Sequence, residues 1–430
     1  MNHAIIVKLV RCLDALRTEN VYSMIRTKEL LSMYDISRQT LYNWIKEGKL
    51  SEPIKDWRGW RVWTEEHKKA IEEIITNKTE QLSFLEEENP TFHINNRRYL
   101  GSKYKLLEFI KKVVEDNCQS IESVADIFGG TGVVADCFND RETKIIVNDI
   151  LYSNYISYFT WFSDEEVDWE KVHTIINQFN EVDIDSLDEN YVSINFGDSY
   201  FTKENAKRIG FIREEIEQLS GSLTFREKAI LITSLLYAMD KVANTVGHYD
   251  AYRRKLDSVK PLRLLVPGVN DENNKNNEIF RMDANLLVRD IKADLVYIDT
   301  PYNSRQYGDA YHLLENIAEW KKPEVTGVAK KMINRQHIKS DYCTMKAPQA
   351  FADLVKHIDS KYILVSYNNM AEKGVGRSNA KISDEDIIET LKIRGTVQTF
   401  EMDYQAYTTG KTNIEDHKEI LYLCTVEEGS

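Results

Sequence analysis

The apolar positions of the chain fall into blocks of two different periods. Residues 27–33 place Leu30, Leu31 and Met33 on one side of a predicted helix. Ser37, an N-cap residue, precedes Leu41, Trp44 and Ile45 at three- and four-residue spacing, and Gly48 ends this second helix. The stretch Trp57-Arg58-Gly59-Trp60-Arg61-Val62-Trp63 reads as two short strands turning at Gly59, after which Thr64 caps a third helix over 65–75. Residues 76–96 are polar, with three consecutive glutamates at 86–88 and then Pro90, and are expected to be a linker. Beyond the linker, short apolar runs at 123–127, 144–147, 294–298 and 362–367 predict strands, and a long helix begins near Phe225. The tract 271–277 holds no apolar residue and is expected to be a mobile loop inside the second domain. A helix over 3–16 stands at the front; whether it pairs two copies, the sequence does not fix.

Helix, turn, helix, wing, helix is a DNA-binding order. About fifty residues, ISRQTLYNWIKEGKL with GWRVWTEE, resemble the winged helix-turn-helix of MerR-type regulators. The resemblance implies that Arg38, Gln39 and Asn43 face the major groove while Arg58 and Arg61 meet phosphates from the wing. The competing reading makes Trp44, Trp60 and Trp63 a plain core and the module a protein-docking domain. Ten basic against nine acidic residues over 22–75 do not separate the two.

Composition bounds the rest. The 430 residues allow two or three domains, here a winged module over 1–75, a linker over 76–96 and a larger domain over 97–430. With 56 Lys+Arg against 69 Asp+Glu, the net charge of −13 excludes a uniformly basic, histone-like protein, so a polyanion would have to be held by local patches. Cys12, Cys118, Cys137, Cys343 and Cys424 lack CxxC spacing, which argues against a zinc site or a disulfide framework and fits a reducing cytoplasm. The apolar run at 4–7 is too short for a signal peptide, and no run approaches the ~18 residues of a membrane helix. The chain therefore reads as soluble and cytoplasmic, with no membrane partner.

The candidate chemistry sits in the larger domain, which reads as α/β. A strand at 123–127 runs into Phe128-Gly129-Gly130-Thr131-Gly132 and a helix opening at Val133, the phosphate- or nucleoside-binding unit of a doubly wound, Rossmann-like sheet. The turn departs from the dinucleotide GxGxxG pattern, so NAD is a poor fit. Asp149 stands after the next strand, placed to accept hydrogen bonds from two ribose hydroxyls; together the two features point to an adenosine-bearing ligand. The apolar strand at 294–298 then ends in Asp299-Thr300-Pro301-Tyr302. An exocyclic amine has its lone pair delocalised into the ring, and acceptors that hold its N–H bonds favour the charged form that develops during methylation. Asp299 supplies one acceptor, the carbonyl of Thr300 or Pro301 a second, and Tyr302 a face on which an extruded base can stack. Pro301 restricts Thr300 to extended conformations, which fixes that carbonyl.

These motifs, in this order, resemble the Dam-like, α-class DNA adenine N6 methyltransferases over residues 94–426. The restriction-modification branch continues the catalytic motif as N-x-R-Q-Y, matched by Asn303, Arg305, Gln306 and Tyr307. The resemblance implies an S-adenosylmethionine-dependent methyltransferase domain with an inserted helical target-recognition region at about 154–280. It implies a lysine motif at Tyr99-Leu100-Gly101-Ser102-Lys103, with Lys103 near the cofactor's amino-acid end or the DNA. It implies cofactor contacts from Asp126 through Phe128, Gly129, Gly130, Thr131 and Gly132, with S-adenosylmethionine against the bare backbone of Gly130 and Gly132, and it puts Asp149 at the ribose. For the acid at the cofactor's adenine, Asp283 is preferred over Asp198, which would instead cap a helix. The family usually has proline where this chain has Thr300, which removes some preorganisation and leaves the carbonyl in place. No metal is implied.

Three stretches are locally basic: 97–112 with six basic residues against one acidic, 247–265 with five against two, and 326–346 with five against one. They could neutralise phosphates of double-stranded DNA, with Arg253, Arg254 and Lys255 in the target-recognition region, Tyr249 and Tyr252 interleaved, and Arg305 beside the catalytic motif. The strand at 362–367 leads to a loop at Asn368 and Asn369 that the resemblance puts near the flipped base; an ordinary strand end is the competing reading. The leading expectation is a site-specific adenine N6 methyltransferase of a restriction-modification system, with a restriction endonuclease as candidate partner. Two alternatives stand beside it: a DNA-binding regulator whose methyltransferase-like domain has become a ligand sensor, and a cytosine N4 methyltransferase.

Overall fold

The computed structural model describes residues 25–34, 38–46, 48–55, 60–72, 74, 90–256, 259–302, 304–368, 380–403 and 418–427. The helix expected over 3–16, Ser37, the turn with Trp57, Arg58 and Gly59, the linker over 76–89, Asn303 and Asn369 lie outside the described residues. The chain divides into two units, Met1–Pro90 and Thr91–Ser430.

In the first unit, β1 (Ile25–Arg26), β2 (Ile54–Lys55) and β3 (Arg61–Trp63) form an antiparallel sheet in the order β1-β3-β2. The helices Thr27–Tyr34 and Arg38–Lys46 and one over residues 65–72 accompany it. Leu30, Leu41, Trp44, Leu50, Trp63 and Ile71 form the core, and Gly48 leaves the second helix at φ +70°. The strand expected to start at Trp57 lies earlier, because the register sets Ile54 opposite Val62. Trp60 is 57% exposed, so only Trp44 and Trp63 of the three tryptophans belong to the core.

The strands of the second unit are β4 (Thr91–Phe92), β5 (Ser123–Asp126), β6 (Lys144–Asn148), β7 (Val266–Pro267), β8 (Glu278–Phe280), β9 (Lys292–Ile298), β10 (Val325–Thr326), β11 (Lys331–Met332), β12 (Asp359–Asn368), β13 (Gly395–Asp403) and β14 (Lys418–Val426). Seven of them build one sheet in the order β13-β14-β12-β9-β5-β6-β8. Strands β12, β9, β5, β6 and β8 run parallel, while β14 is antiparallel to both of its neighbours. The central strands are continuous apolar runs because helices cover both faces. On one face Ile110 and Val113 of the helix Leu107–Asn117 pack with Val124 and Ile145; on the other Phe351 and Leu354 of Ala347–His357 pack with Ala125 and Ile363.

Several boundaries differ from the sequence reading. Phe92 and Ile94, inside the expected linker, are buried in the second unit's core, so that unit begins at Thr91. The insert expected at about 154–280 starts from the helix Tyr152–Phe162, which carries Asn154, and its far end, Phe280, is the last residue of β8 in the main sheet. Between them the helices Trp169–Glu181, Tyr191–Phe196, Lys203–Gln218 and Phe225–Val242 contribute to a core that they share with Leu313, Leu314 and Ile317. The last of these starts from a capping box in which Thr224 and Glu227 exchange side-chain and backbone hydrogen bonds. The tract 271–277 is not a free loop: Asn274 is buried and donates to the carbonyls of Trp161 and Ser163, and Asn277 Oδ1 accepts from the Ile145 N–H. Its amides satisfy backbone groups at the edge of the fold, a role that apolar residues could not fill. Among the described residues no helix is long and apolar enough to cross a membrane.

Candidate active site

The carboxyl ends of β5, β6, β8 and β9, with the loop at 99–103, enclose a cleft of about 990 Å³, part of it open to solvent. This is the edge where parallel α/β sheets bind ligands. Asp126, Asp149, Asp283 and Asp299 all line it, so strands far apart in sequence bring four acids to one space.

At the β5 end the chain leaves the strand through Phe128, Gly129, Gly130, Thr131 and Gly132, and Gly130 and Gly132 adopt φ of +54° and +85°. These left-handed conformations favour glycine. A Cβ on Gly130 would lie 3.0 Å from the Tyr99 ring, and one on Gly132 would meet Phe162, Ile94 and Tyr158 at 3.1–3.3 Å. The space freed by the missing side chains is therefore filled by the protein itself. The two glycines thus serve the turn and the packing beneath it, and Gly130 also lines the cleft. The Gly130 N–H donates to Asp149 Oδ2 at 3.0 Å, and the Tyr158 hydroxyl donates to the Gly130 carbonyl at 2.9 Å.

Asp149 is pinned as well as placed. Its Oδ1 accepts from the Leu151 N–H (2.8 Å) and its Oδ2 also accepts from Asn154 Nδ2 (3.1 Å). Burial pushes this carboxyl up to about 6, against the opposing effect of those hydrogen bonds. Tyr99 stacks on Tyr311 at 4.6 Å and its hydroxyl accepts from Asn154. Asp283 follows β8 at the cleft, where it caps the short helix Ala284–Leu287 by accepting from the Asn285 N–H. Asp198, the alternative acid, follows the helix Tyr191–Phe196 at φ +55° and does not line the cleft; it caps no helix, since Thr202 caps the next one.

Asp126 differs from its neighbours. It is buried, and its Oδ1 has no hydrogen-bond partner among the described residues. Burial, with the negative charge of Asp299 second, pushes its carboxyl up to about 8. A buried, unpartnered carboxyl oxygen is costly unless a ligand supplies a donor or a positive charge. With the Asp149 carboxylate beside it and Phe128, Met282 and Tyr342 as apolar wall, these residues fit a nucleoside that carries a cation.

The β9 end holds a closed network. Asp299 Oδ1 lies 2.9 Å from Lys103 Nζ and accepts from the Tyr302 hydroxyl at 2.9 Å. The same hydroxyl lies 2.9 Å from Glu419 Oε1, which also accepts from the Ser366 hydroxyl (2.8 Å) and from Lys103 Nζ (3.2 Å). Lys103 donates to the Tyr302 oxygen too, and its ammonium lies 4.7 Å from the centre of that ring. Tyr367 meets the Tyr302 ring edge-on at 5.0 Å. Burial alone would lower the Lys103 ammonium, but Asp299 and Glu419 hold it above its ordinary value. Burial raises the Asp299 carboxyl, Lys103 opposes this, and Glu419 adds to it. Thr300 is buried beside them and Pro301 lines the cleft.

Sequence reasoning found Lys103, Asp299 and Tyr302 but missed Glu419, Ser366 and Asn154. Glu419 opens an apolar run in which a lone acid reads as a strand end, and only the sheet order sets it beside Asp299. The segment Asp240–Asn244, at the end of the helix Phe225–Val242, is internal bracing. Asp240 lies 3.4 Å from Arg97 Nε and accepts from the Tyr249 hydroxyl at 2.7 Å, while Asn244 Nδ2 donates to the carbonyls of Ser199 and Arg253.

The basic stretches are less available than their counts suggest. Arg97 and Lys103 are buried ion-pair partners, and Tyr249 is buried, so none of the three is an exposed contact. Arg253, Arg254 and Lys255 are exposed on one loop. Arg305 lies 3.7 Å from Asp250, which also holds Lys331, and Arg335 is paired with Asp309. In the first unit Arg38 and Asn43 are exposed on one helix, Arg61 donates to the Tyr42 hydroxyl and stacks on its ring, and Gln39 lies in the same helix.

The model of the D12 class N6 adenine-specific DNA methyltransferase family matches residues 99–374. The chain is 35% identical over 345 residues to "Modification methylase StsI" of Streptococcus sanguinis, covering 76% of this chain and 51% of that protein. It is 33% identical over 357 residues to "Type II methyltransferase M.FokI" of Planomicrobium okeanokoites, covering 76% and 52%. It is 29% identical over 331 residues to "Type II methyltransferase M.NlaIII" of Neisseria lactamica, covering 74% and 95%. The chain thus spans about half the length of the first two relatives and nearly all of the third.

Proposed function

The chain belongs to the D12 class N6 adenine-specific DNA methyltransferase family, and from that premise we propose that it transfers a methyl group from S-adenosylmethionine to adenine N6 in duplex DNA. The system served would be restriction-modification, as the relatives' names suggest, with a cognate endonuclease as partner. The observation that carries the reading is the single cleft joining Asp126 and Asp149 to the Lys103–Asp299–Tyr302 network. S-adenosylmethionine, when bound, supplies an electrophilic methyl on a sulfonium. Asp126 would hold its cationic amino-acid end, Asp149 its ribose hydroxyls and Asp283 its adenine. Asp299 and the Thr300 carbonyl would accept the N–H bonds of an extruded adenine, stabilising the charge that develops on N6.

The first unit would act as a winged helix-turn-helix, with Arg38, Gln39 and Asn43 toward the major groove and Arg61, beyond β2, on the wing. Exposed Arg253, Arg254 and Lys255, with Arg305, would meet phosphates in the target-recognition region.

The test is incubation of the full chain with labelled S-adenosylmethionine and duplex DNA, followed by nucleoside analysis. N6-methyladenine is expected; N4-methylcytosine or an unlabelled duplex would overturn the reading.

Cofactor binding should also move protons. The raised carboxyl of Asp126 favours the fold below about pH 4 and loses that contribution as pH climbs through about 8. A cationic group against it favours the carboxylate, so binding between pH 6 and 8 should expel a proton and tighten as pH rises. Calorimetry in buffers of differing ionisation enthalpy reads this directly. Asp126→Asn should abolish the proton release and make the free protein less sensitive to alkali.

A further inference from the structure

We propose that Glu419, at the start of the antiparallel strand β14, is a positioning residue for Asp299, taking the Tyr302 hydroxyl and part of the Lys103 ammonium so that Asp299 faces the substrate amine as an open acceptor. The inference rests on the methyltransferase reading above and adds to it a residue from outside every motif.

The geometry states the problem that Glu419 solves. A phenol has one hydrogen, yet the Tyr302 oxygen lies 2.9 Å from Asp299 Oδ1 and 2.9 Å from Glu419 Oε1, so it donates to one carboxylate at a time. The Lys103 ammonium, with three hydrogens, reaches both carboxylates at once, at 2.9 and 3.2 Å, and so divides its charge between them. Both donors already meet Asp299 on Oδ1; without Glu419 they would belong to Asp299 alone and draw more of its negative charge to that oxygen, away from the Oδ2 left for the N–H of adenine. Ser366 adds a further donor to the same oxygen: its hydroxyl donates to Glu419 Oε1 at 2.8 Å. Glu419 is itself 3% exposed and cannot reach substrate except through these partners. It lies in the central sheet beside β12, whose Val365 is in register with Ile298, the residue before Asp299. A lone buried ion pair would need only one carboxylate for Lys103; here two converge on one ammonium.

The groups that face Asp299 are Lys103, Tyr302, Glu419, Tyr297, Asp126 and Tyr307. Of these, Glu419 and Asp126 are the acidic ones, and Glu419 shares its donors. Replacing Glu419 by glutamine removes a negative neighbour and leaves Lys103 to Asp299. Asp299 then ionises more easily but is more firmly occupied.

The experiment compares wild type, Glu419→Gln and Glu419→Asp as full chains, reading kcat, KM for duplex DNA, cofactor Kd and the pH profile of kcat. Glu419→Gln is expected to lower kcat at least about tenfold, leave KM and cofactor Kd within about twofold, and move the acidic limb of kcat to lower pH. Glu419→Asp, which keeps the charge, is expected to hold the limb where wild type has it. A folded Glu419→Gln protein with an unmoved limb and unchanged kcat overturns the proposal. Should that variant not fold, Ser366→Ala carries the test. It removes a donor from Glu419 alone, so Glu419 draws harder on Tyr302 and Lys103 and the limb should move up; an unmoved limb there overturns the proposal equally. Wild-type protein that methylates no adenine defeats the function reading itself, whereas active wild type with an unresponsive Glu419→Gln defeats only this inference.

Discussion

Asp299→Ala is expected to reduce methyl transfer by about 10³-fold or more while cofactor binding persists, because under the proposed function the lost carboxylate is the acceptor that stabilises charge only as it develops on the amine. The fold should survive the change. Lys103 keeps Glu419 at 3.2 Å, and Glu419 keeps Ser366 and Tyr302, so no buried charge is orphaned. The cofactor end should also respond in a way that mere unfolding would not produce. Asp299 contributes to the raised carboxyl of Asp126, and its removal lets Asp126 ionise at lower pH. Cofactor affinity near neutral pH should therefore hold or improve slightly in the variant. Single-turnover methylation together with calorimetric cofactor binding checks both halves, and retained activity would sink the mechanism.

Lys103→Met should be worse for the protein than Asp299→Ala. It leaves the buried Glu419 and the part-buried Asp299 with no cation, and breaking a buried pair costs about 3–5 kcal/mol, a figure that the exposure of Asp299 reduces. The pH dependence follows from the direction of the shifts. In the wild type Lys103 is held above its ordinary value, so its contribution is present at all pH values below the ordinary lysine range and is lost only at alkaline pH as the folded-state value is passed. In the variant the Asp299 carboxyl, already raised, loses the cation that opposes its rise. An acid raised further favours the fold at low pH and penalises it as pH climbs. The stability deficit relative to wild type should therefore be larger at pH 8 than at pH 5.5, read as urea midpoints at the two values. A deficit that does not change with pH would mean that Lys103 acts through packing of its stem.

The core of this arrangement was legible before folding. The strand at 294–298, the turn Asp299–Tyr302 and the glycine turn at 128–132 announce themselves through local chemistry: apolar runs that stop at an acid, a proline that fixes the preceding carbonyl, glycines where φ turns positive. Lys103 was legible as a motif member, but its partners were not. Arg97 shows the limit from the other side. Counted along the chain it belongs to a basic stretch, yet it is buried against Asp240, because what a charge does depends on which surface closes over it.

The sequence by itself determined the α/β alternation of the larger unit, the order of its motifs and the residues at the carboxyl ends of β5, β6 and β9, since each follows from periodicity and turn chemistry within a short window. Only the tertiary structure decided that Glu419 and Ser366 complete the Asp299 site, that Asp283 and not Asp198 reaches the cleft, and that the asparagines of 271–277 tie the loop down. The reason is that partners of buried polar groups are chosen by strand order. Inserting β14 between β12 and β13 brings residue 419 against residues 103 and 299, and no local pattern encodes a contact across that distance in the chain.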